Sequence, residues 1–160
     1  MDILQAITSG QFLAVLGAGA AVFLSCMGSA KGVGLAGEAA GGLVTEDPGK
    51  FGQCLLLQAL PGTNGIYGML TAFVIMTKIG ILGGTALTSP EAGLLYFAGS
   101  LPIAITGYFA AIYQGRVAAV GIGMIAKQPT ELSKAIVFTA MIETYCILAL
   151  LASILIVLNI

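Results

Sequence analysis

Glu143 stands inside residues 136–160, a stretch that carries no other charge and consists mostly of aliphatic and small side chains. An acidic side chain at the centre of a membrane helix costs roughly 2.5–3.5 kcal/mol even on the lenient insertion scale. A carboxylate kept there marks an ion or proton pathway more often than a packing pair. Thr63, Asn64 and Tyr67 form a second polar cluster, where Leu60-Pro61-Gly62 interrupts an apolar segment. Pro61 cannot donate to the carbonyl of Leu57 and distorts the preceding turn, so backbone oxygens are freed at membrane depth. A kink repaired by Thr hydroxyls or water accounts for the Pro and Gly alone. Thr63 and Asn64 beside them, with Tyr67 one turn on from Thr63, favour a site. Gln114 is a further amide, readable either as a ligand or as an interfacial residue beside Arg116. Together Glu143, Thr63, Asn64 and Gln114 supply oxygen ligands and one negative charge, which suits a hard monovalent cation rather than a soft metal.

These residues need helices to hold them at membrane depth. Hydrophobic residues make up 58% of the 160 and charged residues 8%, which excludes an ordinary soluble domain and predicts an all-α integral membrane protein. The length allows about four spans and one membrane domain over 1–160. Apolar runs place the spans at 11–43, 51–82, 94–126 and 132–160, as a first helical hairpin over 11–82 and a second over 90–160 that carries Glu143. Turns are expected where Pro and Gly gather: Thr45 to Lys50, Gly83-Gly84-Thr85 through Ser89-Pro90-Glu91, and Lys127 to Glu131. Five of the six basic residues, Lys31, Lys50, Arg116, Lys127 and Lys134, lie in or near the first and third connections, and Lys78 lies toward the second. That bias predicts short loops in the cytoplasm and both termini on the opposite side.

Other classes fall away. Basic residues are scattered and the net charge is −1, so neither nucleic acid nor a polybasic lipid anchor is expected, and membrane lipid is the expected surrounding. No Lys or Arg precedes Lys31, so the basic region of a signal peptide is missing and the first apolar stretch is expected to stay in the mature protein. Cys26, Cys54 and Cys146 have no paired spacing and no His to complete a zinc site, and read as buried small hydrophobes. Gly32, Gly34 and Gly37 match the glycine pattern of a dinucleotide-binding turn, but they lie inside a helix-length apolar run instead of between a strand and a helix. Glu38 just beyond reads as a solvated or head-group residue near a helix end.

Long span, short polar loop with Pro, long span occurs twice. Laying Pro48 over Pro129 places Leu60 over Met141, Gly62 over Glu143 and Thr63 over Thr144, so the chain reads as a duplicated hairpin with the acid in the second copy only. Small residues recur every four positions at Gly17, Ala21, Ser25 and Ser29, and at Gly107, Ala111, Gly115, Ala119 and Gly123. Such stripes let backbones approach closely, either inside one bundle or against neighbouring copies, and two in equivalent helices suit the inner wall of a ring.

The residues GSAKGVGLAGEAA at 28–40, LPGTNGIYG at 60–68, YQGRVAA at 113–119 and Met141-Ile142-Glu143-Thr144-Tyr145 resemble, in this order and over nearly the whole chain, the duplicated four-helix proteolipid (c-type or K) subunit of the membrane rotor ring of V-type ATPases. The likeness is strongest to the sodium-translocating bacterial members. It implies a homo-oligomeric ring that is not catalytic alone and that carries Na+ across the membrane by rotation, driven by ATP hydrolysis in other subunits. It implies a stator membrane subunit with an essential basic residue and a central-stalk subunit as partners. Carried over by motif, Glu143 is the essential carboxylate, Thr63 a hydroxyl ligand, Leu60 a backbone carbonyl ligand, Gln114 an amide ligand, and Tyr67 the hydrogen-bond partner that holds Glu143 closed. Asn64 departs from the sodium-binding pattern, which has Gln there. It is retained as a ligand, one methylene shorter, with a water or a helix shift filling the gap.

A rotor for H+ alone is the alternative. It needs only a desolvated carboxyl and one acceptor, and the extra oxygens would then be costly polar groups. A small proton-coupled secondary transporter predicts activity without ATPase partners, and a structural oligomer predicts that Glu143 is dispensable.

Overall fold

The computed structural model describes residues 7–83, 87 and 89–160. The expected middle connection is therefore only partly covered: Gly84, Thr85, Ala86 and Thr88 lie outside the described residues, as do positions 1–6.

Helix α1 is Gly10–Glu46. The Ser9 hydroxyl accepts from the Phe12 amide at its start, and Asp47 in extended conformation followed by Pro48 ends it. A 3-10 turn at Pro48–Lys50 leads into α2, Phe51–Ala59. A second 3-10 turn at Leu60–Gly62 separates α2 from α3, Thr63–Lys78. The second span is thus broken where Pro61 withdraws its amide from the helical ladder. Helix α4, Pro90–Lys127, opens on the Ser89 cap with Pro90 in its first turn, and α5, Leu132–Leu158, follows the 3-10 turn Pro129–Glu131. Four helical segments are long and apolar enough to cross a membrane: Gly10–Glu46, Pro48–Lys78, Pro90–Lys127 and Pro129–Leu158. Helices α1 and α4 run past the expected bounds at both ends, because their Ser caps and Pro stops lie outside the apolar runs.

The two small-residue stripes meet inside the protomer where Gly107 lies on Ser25, and further glycines along the same seam pack against the facing helix. Gly17 lies against Phe97, Gly28 against Tyr108, and Gly32 against Ala111 and Gly115, backbone to backbone. Helices α1 and α4 are therefore parallel and in close contact. Helix α3 lies against α1, with Gly65 on Cys26 and Gly68 on Ala21 and Ser25, and α5 lies against α4, with Ile156 and Val157 on Gly99.

Two apolar clusters sit toward opposite ends of the bundle. One holds Ala36, Leu57, Ile122 and Ile125, the other Ala14, Ile75, Tyr96 and Val157. Between them a smaller cluster of Ala21, Ile103, Ala110 and Cys146 carries Tyr67 and Ile142 at its margin. The polar residues are thus held at mid-bundle by apolar packing above and below. Lys78 Nζ donates to the Leu158 carbonyl at 3.1 Å and ties the ends of α3 and α5 together.

One detail differs from the sequence reading. Cys54 and Cys146 are buried, but Cys26 is exposed, at the edge of the α1–α3 seam where its thiol faces the Gly65 carbonyl at 3.8 Å. Pro102 lies inside α4 without ending it. Hydroxyls from neighbouring helices serve the backbone there: Ser153 accepts from the Ile103 amide and Ser25 donates to the Ile103 carbonyl.

Candidate functional site

Pro61 organises one side of the site. Instead of a continuous ladder, the Ser29 hydroxyl of α1 inserts into the first turn of α3, donating to the Pro61 carbonyl at 2.8 Å and accepting from the Gly65 amide at 2.8 Å. A side chain that enters the ladder in this way holds a helix open where a regular hydrogen bond would close it. Thr63 turns back one turn, its hydroxyl donating to the Leu60 carbonyl at 2.9 Å. The kink expected at Pro61 is thus served by Thr63 and by Ser29. Ser29 entered the sequence reading as a member of the small-residue stripe and of the GSAKGVGLAGEAA motif, and its hydroxyl was the unused signal.

The remaining side chains form one hydrogen-bonded chain across three helices. Asn64 Nδ2 on α3 donates to Gln114 Oε1 on α4 at 2.6 Å, and Gln114 Nε2 reaches Glu143 Oε2 on α5 at 3.4 Å. The Tyr67 hydroxyl donates to the other carboxylate oxygen, Oε1, at 2.6 Å. Asn64 and Gln114 are both 0% exposed, whereas Glu143 and Tyr67 are half-buried. The carboxylate therefore sits at the protein's edge with its two oxygens held from inside.

All six candidate residues occur in this region. Asn64, Gln114, Tyr67 and Glu143 are linked directly, and Thr63 and Leu60 are joined to each other in the adjoining kink. Gln114 is a buried core amide, which removes the interfacial reading; its neighbour Arg116 is exposed and lies over the Tyr113 ring instead. Among the described residues one buried atom of this network, Asn64 Oδ1, has no hydrogen-bond partner. A buried carbonyl oxygen left unpaired is costly unless a donor or cation meets it. The donor set suits a monovalent cation: one carboxylate, one unpaired amide oxygen, and a hydroxyl and backbone carbonyls in the adjoining kink.

Ser29→Ala should loosen this frame. It removes the donor to Pro61 and strands the buried Gly65 amide, each lost partner being worth about 1–3 kcal/mol. Thermal dissociation of the purified oligomer should shift downward by several degrees, and cation binding should weaken with it. An unchanged profile would show the inserted hydroxyl to be dispensable.

Comparison with known proteins places this arrangement. Residues 16–75 and again 97–156 match the family of the ATP synthase C subunits, so the family unit occurs twice along the chain. Over 159 residues, 99% of each chain, the protein is 49% identical to the V-type sodium ATPase subunit K of Enterococcus hirae. It is also 36% identical to the A-type ATP synthase subunit K of Methanocaldococcus jannaschii, over 92% of this chain and 63% of that one. With both hairpins matched and a near full-length relative at this identity, the chain belongs to the family of ATP synthase C subunits.

Proposed function

We propose that this protein is the rotor-ring subunit of a V-type ATPase and carries Na+ on Glu143. The observation that supports it best is the half-buried carboxylate fixed by Tyr67 and Gln114 beside the unpaired Asn64 carbonyl oxygen. The relative at 49% identity is named as a sodium ATPase subunit. The hairpins over 11–82 and 90–160 each contribute: the first supplies Leu60, Thr63, Asn64 and Tyr67, the second Gln114 and Glu143.

A cation bound at Glu143 neutralises the carboxylate, and neutrality is what allows it to pass through lipid as the ring turns. At the stator, a basic side chain draws Glu143 away from Tyr67 so that the ion leaves to one half-channel and another enters from the second. Torque comes from ATP hydrolysis elsewhere in the complex; this chain is not catalytic alone. The short turns at Pro48–Lys50 and Pro129–Glu131 face the cytoplasm and dock the central stalk, and both termini face the other side. The bias of Lys50, Lys127 and Lys134 toward these turns supports that orientation.

A proton rotor is the second reading. It is favoured by the two neutral donors on Glu143, which satisfy both oxygens without a metal. ATP-driven uptake into proteoliposomes carrying the assembled complex separates the two. Sodium accumulation that persists with a protonophore supports the first reading, and protonophore-sensitive acidification indifferent to sodium supports the second.

A further inference from the structure

We propose that neighbouring protomers meet through the outer side of α4 in one copy and the outer side of α1 in the next, with Tyr113 seated between Ala30 and Gly34 of that next copy. The proposal rests on the rotor-ring reading and assigns the surface by which a second copy of this chain is recognised.

The internal repeat supplies the partner. The family unit starts at residue 16 and again at 97, and stops at 75 and again at 156, a step of 81 residues at both ends. Each protomer therefore already contains one contact between two such units, where Gly28 of α1 lies on Tyr108 of α4 and Gly32 lies on Ala111 and Gly115. That contact uses different faces of the two units, so one side of α1 and one side of α4 are left over. A head-to-tail contact of this kind closes into a ring by being repeated. Carrying the first unit forward and the second back by the 81-residue step turns Gly32 into Tyr113, and turns Ala111 and Gly115 into Ala30 and Gly34 of the next copy. By the same step, Gly28 on Tyr108 becomes Phe109 on Met27.

The side chains at these positions suit the contact, which the repeat alone does not require. Ala30 and Gly34 stand half a turn on from Gly28 and Gly32, and Gly41 lies about two turns beyond Gly34 on the same side of α1. All three are exposed. A methyl on Gly34 or Gly41 meets nothing within 4 Å. Nothing inside the protomer thus requires glycine there, although it costs a helix about 1 kcal/mol relative to alanine. Further along that side, Phe12, Leu16, Gly19 and Phe23 line an apolar groove of about 560 Å³. The leftover side of α4 is the reverse. Phe109 and Tyr113 are 52% and 53% exposed, and Val120, at 73%, is the most exposed large apolar side chain among the described residues. Arg116 lies over one face of the Tyr113 ring, 5.5 Å from its centroid, and leaves the other face to the neighbour. Bulky side chains of one copy therefore enter hollows of the next. The backbones stand further apart here than at Gly32 inside the protomer, so close and wide contacts alternate around the ring.

The test is disulfide cross-linking in the purified ring, in a background of Cys26→Ala, Cys54→Ala and Cys146→Ala. Tyr113→Cys and Gly34→Cys are combined and oxidised with copper phenanthroline. Two cysteines join when their Cα atoms lie within about 7 Å, so the double variant should give a ladder of dimers, trimers and higher species on denaturing gels. Either single variant should give none, because a head-to-tail seam keeps like residues apart. Tyr113→Cys with Gly42→Cys is the control pair and should stay unlinked, since position 42 is about two turns further on and points to another side of α1. If Gly34→Cys prevents assembly on native gels, Ala30→Cys, which replaces an exposed side chain, takes its place.

An intact ring whose double variants give no ladder, as lipid filling the space between protomers would produce, overturns the seam, and so does a ladder from the control pair alone. A wild-type chain that forms no ring would instead sink the rotor-ring reading, and the seam with it.

Discussion

Glu143→Gln should bring ATP-driven cation transport by the assembled complex to background while leaving the ring intact. The substitution preserves shape and can still accept from Tyr67, whose hydroxyl lies 2.6 Å from the carboxylate. Charge is what it removes. Breaking a buried ion pair by deleting one partner costs about 3–5 kcal/mol, a loss of about a hundredfold or more in ion affinity. A neutral amide also gives the stator's basic side chain nothing to draw open, so the release step fails along with binding. The amide keeps the volume of the carboxylate at a half-buried position, so ring assembly should be unchanged on native gels. Transport that survives in an assembled ring would remove Glu143 from the mechanism and favour a structural oligomer.

Gly32→Ala should damage the protomer itself. A methyl on Gly32 meets the carbonyl oxygen of Ala111 and the Pro61 ring, and one on Gly115 meets the backbone of Gly32. Backbone cannot rotate aside as a side chain does, so α1 and α4 must separate, at an overpacking cost of about 1–3 kcal/mol. Separation also moves Ser29 on α1 away from Pro61 and Gly65, so the kink loses its inserted hydroxyl. The oligomer should dissociate at a markedly lower temperature, and carbodiimide labelling of Glu143 should lose its dependence on sodium. Gly52→Ala is the control, because a methyl there meets nothing within 4 Å and replaces a helical glycine with a better helix former. Equal melting of the two variants would contradict the close approach of α1 and α4.

How much of this was legible in the sequence depended on what each residue's chemistry demands. Glu143 stood out because a lone acid in an apolar span has few cheap explanations, and Leu60-Pro61-Gly62 because it breaks a helix wherever it falls. The four spans followed from apolar length and the turns between them from Pro48, Pro90 and Pro129, whereas the caps at Ser9 and Ser89 carried α1 and α4 beyond the apolar runs. Direction was harder to read than type. Ser29 looked like any small residue of a packing stripe, since the same side chain serves close approach and hydrogen bonding, and only the fold aims it at Pro61. Gln114 could be an interfacial or a buried amide until the helix rotation was known. Which atom of Asn64 is left unpaired depends on a contact between helices fifty residues apart, and no local pattern encodes it. Cys26 failed for the same reason: an apolar neighbourhood in sequence did not fix which side of α1 it occupies.

The most direct test of the central claim is carbodiimide labelling of Glu143 in the purified wild-type ring across pH, with and without sodium. Bound sodium and the labelled, protonated acid exclude each other at one carboxylate. Sodium should therefore suppress labelling, and more sodium should be needed as the pH falls and protons compete. Labelling that follows pH alone, with sodium indifferent at every point, would contradict a cation site at Glu143 and leave a proton rotor in its place.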